Sequence, residues 1–208
     1  LSIQKKVPLS EKLPLMENFY TIQGEGYHAG KAAYFIRLAG CDVGCVWCDV
    51  KESWDAGAHK EVHIQEIISV ASEAQSHVVV VTGGEPLMYN LDSLTEQLKK
   101  NGFNTHIETS GAYPLSGEWD WICLSPKKFK KPVTDAFDRA DELKVVIYNK
   151  HDFNWAEEMA CKVKLGCKLF LQPEWSKSKE MLPQIIAYVK SNPRWEISLQ
   201  LHKFMDIP

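Results

Sequence analysis

Cys41, Cys45 and Cys48 fall within eight residues, in the run Cys41-Asp42-Val43-Gly44-Cys45-Val46-Trp47-Cys48. Thiols so close along the chain are poorly placed to cross-link a fold, but they can converge on one metal centre. Four thiolates complete a structural zinc site or an ordinary iron–sulfur site. Three, with no fourth at matching spacing, leave one metal position open to a ligand from outside the protein, and that is where chemistry can start. A zinc knuckle is the competing reading. It needs a fourth nearby ligand, with His59 or His63 as the candidates, and it leaves the motif Gly83-Gly84-Glu85-Pro86 unexplained. The glycines of that motif permit tight turning and close backbone approach to a ligand. Its carboxylate, at the end of a β-branched run, can receive an ammonium group. The Gly-Lys-Ser/Thr ending of a phosphate loop is missing.

Arg37 also has chemistry to explain. It interrupts Ala33-Tyr34-Phe35-Ile36-Arg37-Leu38, an apolar run that suits a strand buried on both faces. A guanidinium there needs an anion or a hydrogen-bonding partner, because an unpaired buried charge is costly. A ligand anion and an internal ion pair are both open. Upstream, Ile22-Gln23-Gly24-Glu25-Gly26 ends in a glycine-punctuated turn. Gly24, Gly26 and Gly30 do not make a dinucleotide fingerprint, since no strand leads straight into a glycine-opened helix. A loop that brings backbone close to a small molecule fits better.

These residues need elements to hold them. Helical periodicity is present over 64–75, 91–101, 153–163 and 181–189. Strands are predicted at 33–38, 78–82, 105–109, 121–124, 143–148, 168–171 and 196–201, followed by a polar tail to Pro208. Alternation of strand and helix argues for a parallel α/β sheet with right-handed connections. A full eightfold barrel typically takes about 250 residues, so the expected architecture is a partial, open barrel of (βα)6 type with mostly parallel strands. Ligands bind at the carboxyl edge of such sheets. Thr82, Glu85, Glu108, Ser110, Ser125, Lys127 and Gln172 all stand at or just after strand ends, so they are expected to share one mouth with the cysteines. Residues 1–16, with Pro8 and Pro14 discouraging helix, read as an N-terminal arm, and 17–208 as a single domain.

Composition narrows the class. A chain of 208 residues with 45% hydrophobic and 25% charged residues is ordinary for a globular domain with a substantial core. A net charge of -3 gives no electrostatic case for nucleic acid or an acidic membrane. No apolar run approaches the roughly 18 residues of a membrane span, and the amino-terminal stretch has no signal-peptide pattern, so a cytoplasmic protein is expected. Cys123, Cys161 and Cys167 are expected to be buried free thiols. His202 reads equally as part of the mouth or as packing. In the basic run Lys127, Lys128, Lys130 and Lys131, a solvated loop is the default for all but Lys127.

The cysteine spacing joined to Gly83-Gly84-Glu85-Pro86 resembles the radical S-adenosylmethionine (SAM) enzymes. Within them, the chain is similar to the 7-carboxy-7-deazaguanine synthases. Phe19-Tyr20-Thr21-Ile22-Gln23-Gly24-Glu25-Gly26, Phe35-Ile36-Arg37-Leu38-Ala39-Gly40-Cys41, Val80-Val81-Thr82-Gly83-Gly84-Glu85-Pro86, Ile107-Glu108-Thr109-Ser110-Gly111 and Leu124-Ser125-Pro126-Lys127 carry the likeness. It implies a radical SAM core with a short N-terminal extension, and a 4Fe–4S cluster on Cys41, Cys45 and Cys48. SAM would lie against Trp47, Cys48, Asp49, Gly84, Glu85, Ser125, Pro126 and Lys127, with Glu108, Ser110 and Gln172 as further contacts. The implied substrate is a carboxylated tetrahydropterin, met by Ile22, Gln23, Gly24, Arg37, Thr82 and Pro208. A flavodoxin-like electron donor and a homodimer are also implied. A glycyl-radical activating enzyme shares the cluster machinery, but Gln23-Gly24-Glu25-Gly26 and Arg37 favour a small carboxylated substrate. One position departs from the family, where a threonine two residues after the last cluster cysteine joins a magnesium ion. Here Val50 stands at that position, so either Asp49 and the substrate hold magnesium largely through water, or the metal is absent and Arg37 does more of the anchoring.

Overall fold

Residues 11–208 are described by the computed structural model. The first strand, β1, is Lys12–Ile22, and β2 is Ala32–Leu38. The chain then passes through the cysteine loop to the short strand β3, Lys60–His63, and helix α1, Ile64–Ala71. After these come β4 (Val78–Gly83), α2 (Asp92–Lys100), β5 (Asn104–Thr109) and β6 (Trp121–Leu124). The second half continues with α3 (Thr134–Arg139), β7 (Glu142–Ile147), α4 (His151–Ala160) and β8 (Lys168–Pro173). It closes with α5 (Ser178–Ser191), β9 (Trp195–Ile197) and α6 (Leu201–Met205).

The nine strands of the described residues form one unclosed sheet in the order β3-β1-β2-β4-β5-β6-β7-β8-β9. From β2 through β9 neighbours run parallel, whereas β1 is antiparallel to both β2 and β3. This is the expected open α/β architecture. The helices cover the outer face, where Ile36, Leu38, Ile67, Val79, Val81, Leu94 and Leu98 are buried in one continuous core. Burying each such side chain contributes about 1.5–3 kcal/mol. On the inner face, Ala33, Phe35 and Val80 form a smaller cluster with Phe19 packed against it.

Several boundaries differ from the sequence reading. Residues 12–16 are the start of β1, so the position chosen to end the arm lies inside a strand; residues 1–10 lie outside the described ones. Pro14 forbids helix but not strand. Leu13, Pro14 and Leu15 pair with Val62, Glu61 and Lys60 of β3, and the β1–β2 ladder begins only at Leu15, with an irregularity before Glu17. A proline at that change of partner costs no β1–β2 ladder bond. The tail after β9 contains α6 rather than a continued strand. Cys123 is buried, but Cys167 is only partly covered and Cys161, just past the end of α4, is exposed. The apolar face of α4 uses Phe153, Ala156, Met159 and Ala160, which turns Cys161 away from the core.

Candidate active site

The cysteine loop hangs from the carboxyl end of β2 and is clamped by the end of β4. Gly84 N–H donates to Leu38 O at 2.9 Å, and Glu85 N–H donates to Gly40 O at 2.9 Å. On its other side, Gly40 N–H reaches Ser53 O and Cys41 N–H reaches Trp54 O. The approach is so close that a β-carbon at Gly84 would stand 2.2 Å from Gly40 O, and one at Gly83, where φ is +133°, would stand 2.0 Å from Leu38 O. Only glycines fit there.

Glu85 does not reach the mouth. Its carboxylate is 1% exposed and accepts from Leu87 N, Thr109 Oγ1 and Ser110 N at 3.0, 2.6 and 2.8 Å, and also from Ser110 Oγ. The expected ammonium acceptor is therefore a tie between the ends of β4 and β5. With every lone pair of the carboxylate engaged from inside the fold, none points at a ligand.

The strand ends enclose an open cavity with about 1430 Å³ of empty space, its solvent-filled mouth included. Cys41, Cys45 and Cys48 line it together with Trp47, Asp49 and Val50 from the same loop. Ile22, Gln23 and Gly24 enter from the end of β1, Arg37 from β2, and Thr82 and Gly84 from β4. Glu108, Ser110, Ser125, Lys127 and Gln172 come from the ends of β5, β6 and β8, and Pro208 from the tail. Of the residues that the family resemblance assigns to cluster, SAM or substrate, only Glu85 and Pro126 do not line this cavity. Pro126 is buried behind Ser125.

The electrostatics suit a cationic occupant beside the thiols. Burial pushes the Cys41 thiol up, with further upward contributions from Glu85 and Cys48 and an opposing one from a backbone hydrogen bond. Burial likewise pushes Cys45 up to about 11, although the Lys127 charge works against it. Thiols held in that state deprotonate only with positive charge close by. Lys127 donates to Ser125 O and Oγ at 2.8 and 2.6 Å, with its ammonium 5.6 Å from the centre of the Trp47 ring. Among the described residues Cys123, Cys161 and Cys167 do not line the cavity, nor do His59 and His63, so none of the fourth ligands considered from the sequence joins the three thiols there. The His59 ring is instead bonded to Glu52 O. The residues present thus fit a cluster with one iron left open, and not a zinc knuckle.

Arg37 Nε donates to Glu17 Oε1 at 2.6 Å across the β1–β2 pair, and its guanidinium lies over the Phe19 ring. The internal ion pair foreseen as one reading of Arg37 is present, and the residue also stands on the cavity wall. Asp49 Oδ2 receives Lys203 Nζ at 2.8 Å and Gln200 Nε2 at 3.3 Å. Burial works to raise the Asp49 pKa, but Lys203 outweighs it and the net direction is down. Val50 offers no side-chain oxygen. The residues at this position do not fit a directly ligated magnesium ion.

Sequence reasoning missed Glu25, Lys144 and Gln200, and left His202 undecided; all four line the cavity. Lys144 had a readable signal. In Glu142-Leu143-Lys144-Val145 charged and apolar residues alternate, which in a strand of a covered sheet aims charge at the barrel interior.

The sequence signature of the Radical SAM superfamily matches residues 35–131. The chain is 59% identical over 206 residues to the 7-carboxy-7-deazaguanine synthase of Flavobacterium psychrophilum, covering 99% of this chain and 98% of that protein. It is 47% identical to the enzyme of that name from a Synechocystis strain, covering 96% and 98% of the two chains. The crystal structure of QueE from Escherichia coli superposes with a TM-score of 0.82 at 31% identity, over 92% of this chain and 95% of that one. Likeness of this extent spans the cysteine loop, the glycine clamp and the tail alike, and the chain belongs to the 7-carboxy-7-deazaguanine synthase family of radical SAM enzymes.

Proposed function

We propose that this chain converts 6-carboxy-5,6,7,8-tetrahydropterin to 7-carboxy-7-deazaguanine with loss of one ammonia, a step of queuosine and deazapurine biosynthesis. The observation that carries the reading is the meeting, in one cavity, of three thiols, with no fourth cysteine among the described lining residues, and an arginine on the strand that leads into their loop. When bound, the 4Fe–4S cluster and SAM supply a single electron and the carbon radical that removes hydrogen from the substrate. The chain's own residues hold and exclude. Cys41, Cys45 and Cys48 would hold the cluster through their thiolates. Gly84 gives backbone room for SAM beside the loop, while Trp47, Ser125, Lys127 and Gln172 flank it. Arg37 receives the pterin carboxylate through guanidinium hydrogen bonds, with Ile22, Gln23, Gly24, Thr82 and Pro208 around the ring. Because Val50 and Asp49 do not suit magnesium, Arg37 takes the larger part in anchoring.

The proposal includes a flavodoxin-like one-electron donor and a homodimer, each taken from the family resemblance. The test is anaerobic reconstitution followed by incubation with SAM, reductant and the carboxypterin. Equimolar ammonia and deazaguanine product are expected, with little dependence on added magnesium. SAM cleavage without that product points to another radical SAM activity, and failure to load iron removes the reading altogether.

A further inference from the structure

One wall of the cavity holds a closed polar ring built around Lys144, to which no role has been given above. Lys144, on β7, is 3% exposed and donates to Glu25 Oε2 at 2.5 Å and to Glu108 Oε2 at 3.2 Å. The other oxygen of each carboxylate is held by an amide: Gln200 Nε2 donates to Glu25 Oε1 at 3.0 Å, and Gln23 Nε2 donates to Glu108 Oε1 at 2.9 Å. Glu25 N–H returns to Gln23 Oε1 at 3.1 Å and closes the ring. Two carboxylates share one ammonium, so the wall carries one negative charge in excess. Burial would push Glu25 up, but the charge and hydrogen bond of Lys144 bring it down to about 2. Each carboxylate oxygen has two lone-pair positions, so both groups keep acceptor capacity for a ligand. Arg37, paired through Nε with Glu17, brings its guanidinium to the cavity wall at β2, two strands in the sheet from Glu108 on β5 and four from Lys144 on β7.

We propose that Lys144 is a positioning residue that fixes which way round the substrate binds. Its ammonium locks Glu25 and Glu108 into a carboxylate pair that accepts from the adjacent N–H donors of a 2-amino-4-oxo heterocycle, while the substrate's carboxylate is repelled by that wall and goes to Arg37. This rests on the pterin reading above. A reversed substrate would place its carboxylate against the excess negative charge and its N–H edge against a guanidinium, losing both interactions. Orientation in turn decides which carbon–hydrogen bond faces SAM.

Reconstituted wild type, Lys144→Met and Lys144→Arg are compared. Lys144→Met is expected to raise KM for the carboxypterin by about tenfold or more, the size of a lost charge-assisted contact. It should also raise the ratio of SAM cleaved to product formed, with iron content, cluster absorption and SAM affinity unchanged. Lys144→Arg should restore most of the coupling. As a readout that needs no variant, wild type should bind a 2-amino-4-oxo pteridine at least about tenfold more tightly than its 2-oxo counterpart. Unchanged KM and coupling in a loaded Lys144→Met enzyme overturns the inference. So does loss of SAM affinity in step with KM, which marks a merely structural role, and so does equal binding of the two pteridines by wild type. Absence of any turnover by wild type overturns the pterin reading itself, while the pteridine comparison still reports on the wall.

Discussion

Glu85 takes hydrogen bonds from Leu87, Thr109 and Ser110 on one buried carboxylate, and its removal leaves those donors without an acceptor. Each buried orphan costs about 1–3 kcal/mol. With partial relaxation, Glu85→Ala should lose roughly 3 kcal/mol, read in a melting curve as a Tm about 6–12 °C lower for a chain of this size. Glu85→Gln keeps an acceptor oxygen and should lose less. Equal melting temperatures for wild type and Glu85→Ala would show the tie to be idle. Arg37→Ala should raise KM for the carboxypterin about tenfold or more while SAM titrations remain unchanged, and unchanged KM would place the carboxylate elsewhere. At this scale, legibility follows distance along the chain. The three cysteines announce a shared site because seven positions separate the first from the last. Glu25, Glu108 and Lys144 come from the turn after β1, from β5 and from β7 and meet only through the fold, so each alone reads as an ordinary charged residue. Glu85 stands where its motif predicts, but a side-chain direction depends on Thr109 and Ser110, which no local pattern ties to it.

At the scale of elements, β4 and the cysteine loop behave as one part. Gly84→Ala would drive a β-carbon into Gly40 O and the Cys41 side chain, both of them backbone or near it and unable to step aside. The variant should fold, since the outer face of β4 is untouched, yet it should load markedly less iron than wild type under identical reconstitution. Normal iron content with normal SAM binding would contradict the clamp. The parallel strands and the long helices were readable because β-branched runs such as 78–82 and the apolar faces of α2 and α5 are local, periodic signals. β1 and β3 were not, because Pro14 and mixed polarity hide a strand whose only support is its partner. α6 was hidden for a similar reason. Its five residues lack a buried face, and Leu201 N–H donating to Gly24 O holds its start in place.

For the whole molecule, the end of the sheet away from the cysteines sets a pH limit. His106 is 7% exposed, with the His28 ring at 4.6 Å and Trp121, Lys31, Asp120 and Asp141 around it. Burial first, and the His28 charge second, bring its pKa down to about 4. An unfolded histidine titrates near 6.5, so between about 6.5 and 4 the unfolded chain binds the extra proton. Stability is therefore complete above that window and falls as pH drops through it, by up to roughly 3 kcal/mol. Denaturant midpoints for His106→Gln should vary less with pH across the window than those of wild type, and an equal slope would sink the assignment. The other feature on this scale is the segment from Ser198 to Pro208. Ser198 Oγ accepts from Gly26 N–H, Gln200 holds Glu25 and Asp49, and Leu201 meets Gly24, so the last residues bridge the two open sides of the sheet. Translation supplies these parts in a fixed order. The thiols leave the ribosome some 150 residues before the segment that roofs them, and until that segment arrives they are open to oxidants and stray metal. In the folded protein the open mouth of the cavity gives a cluster a route to the three thiols.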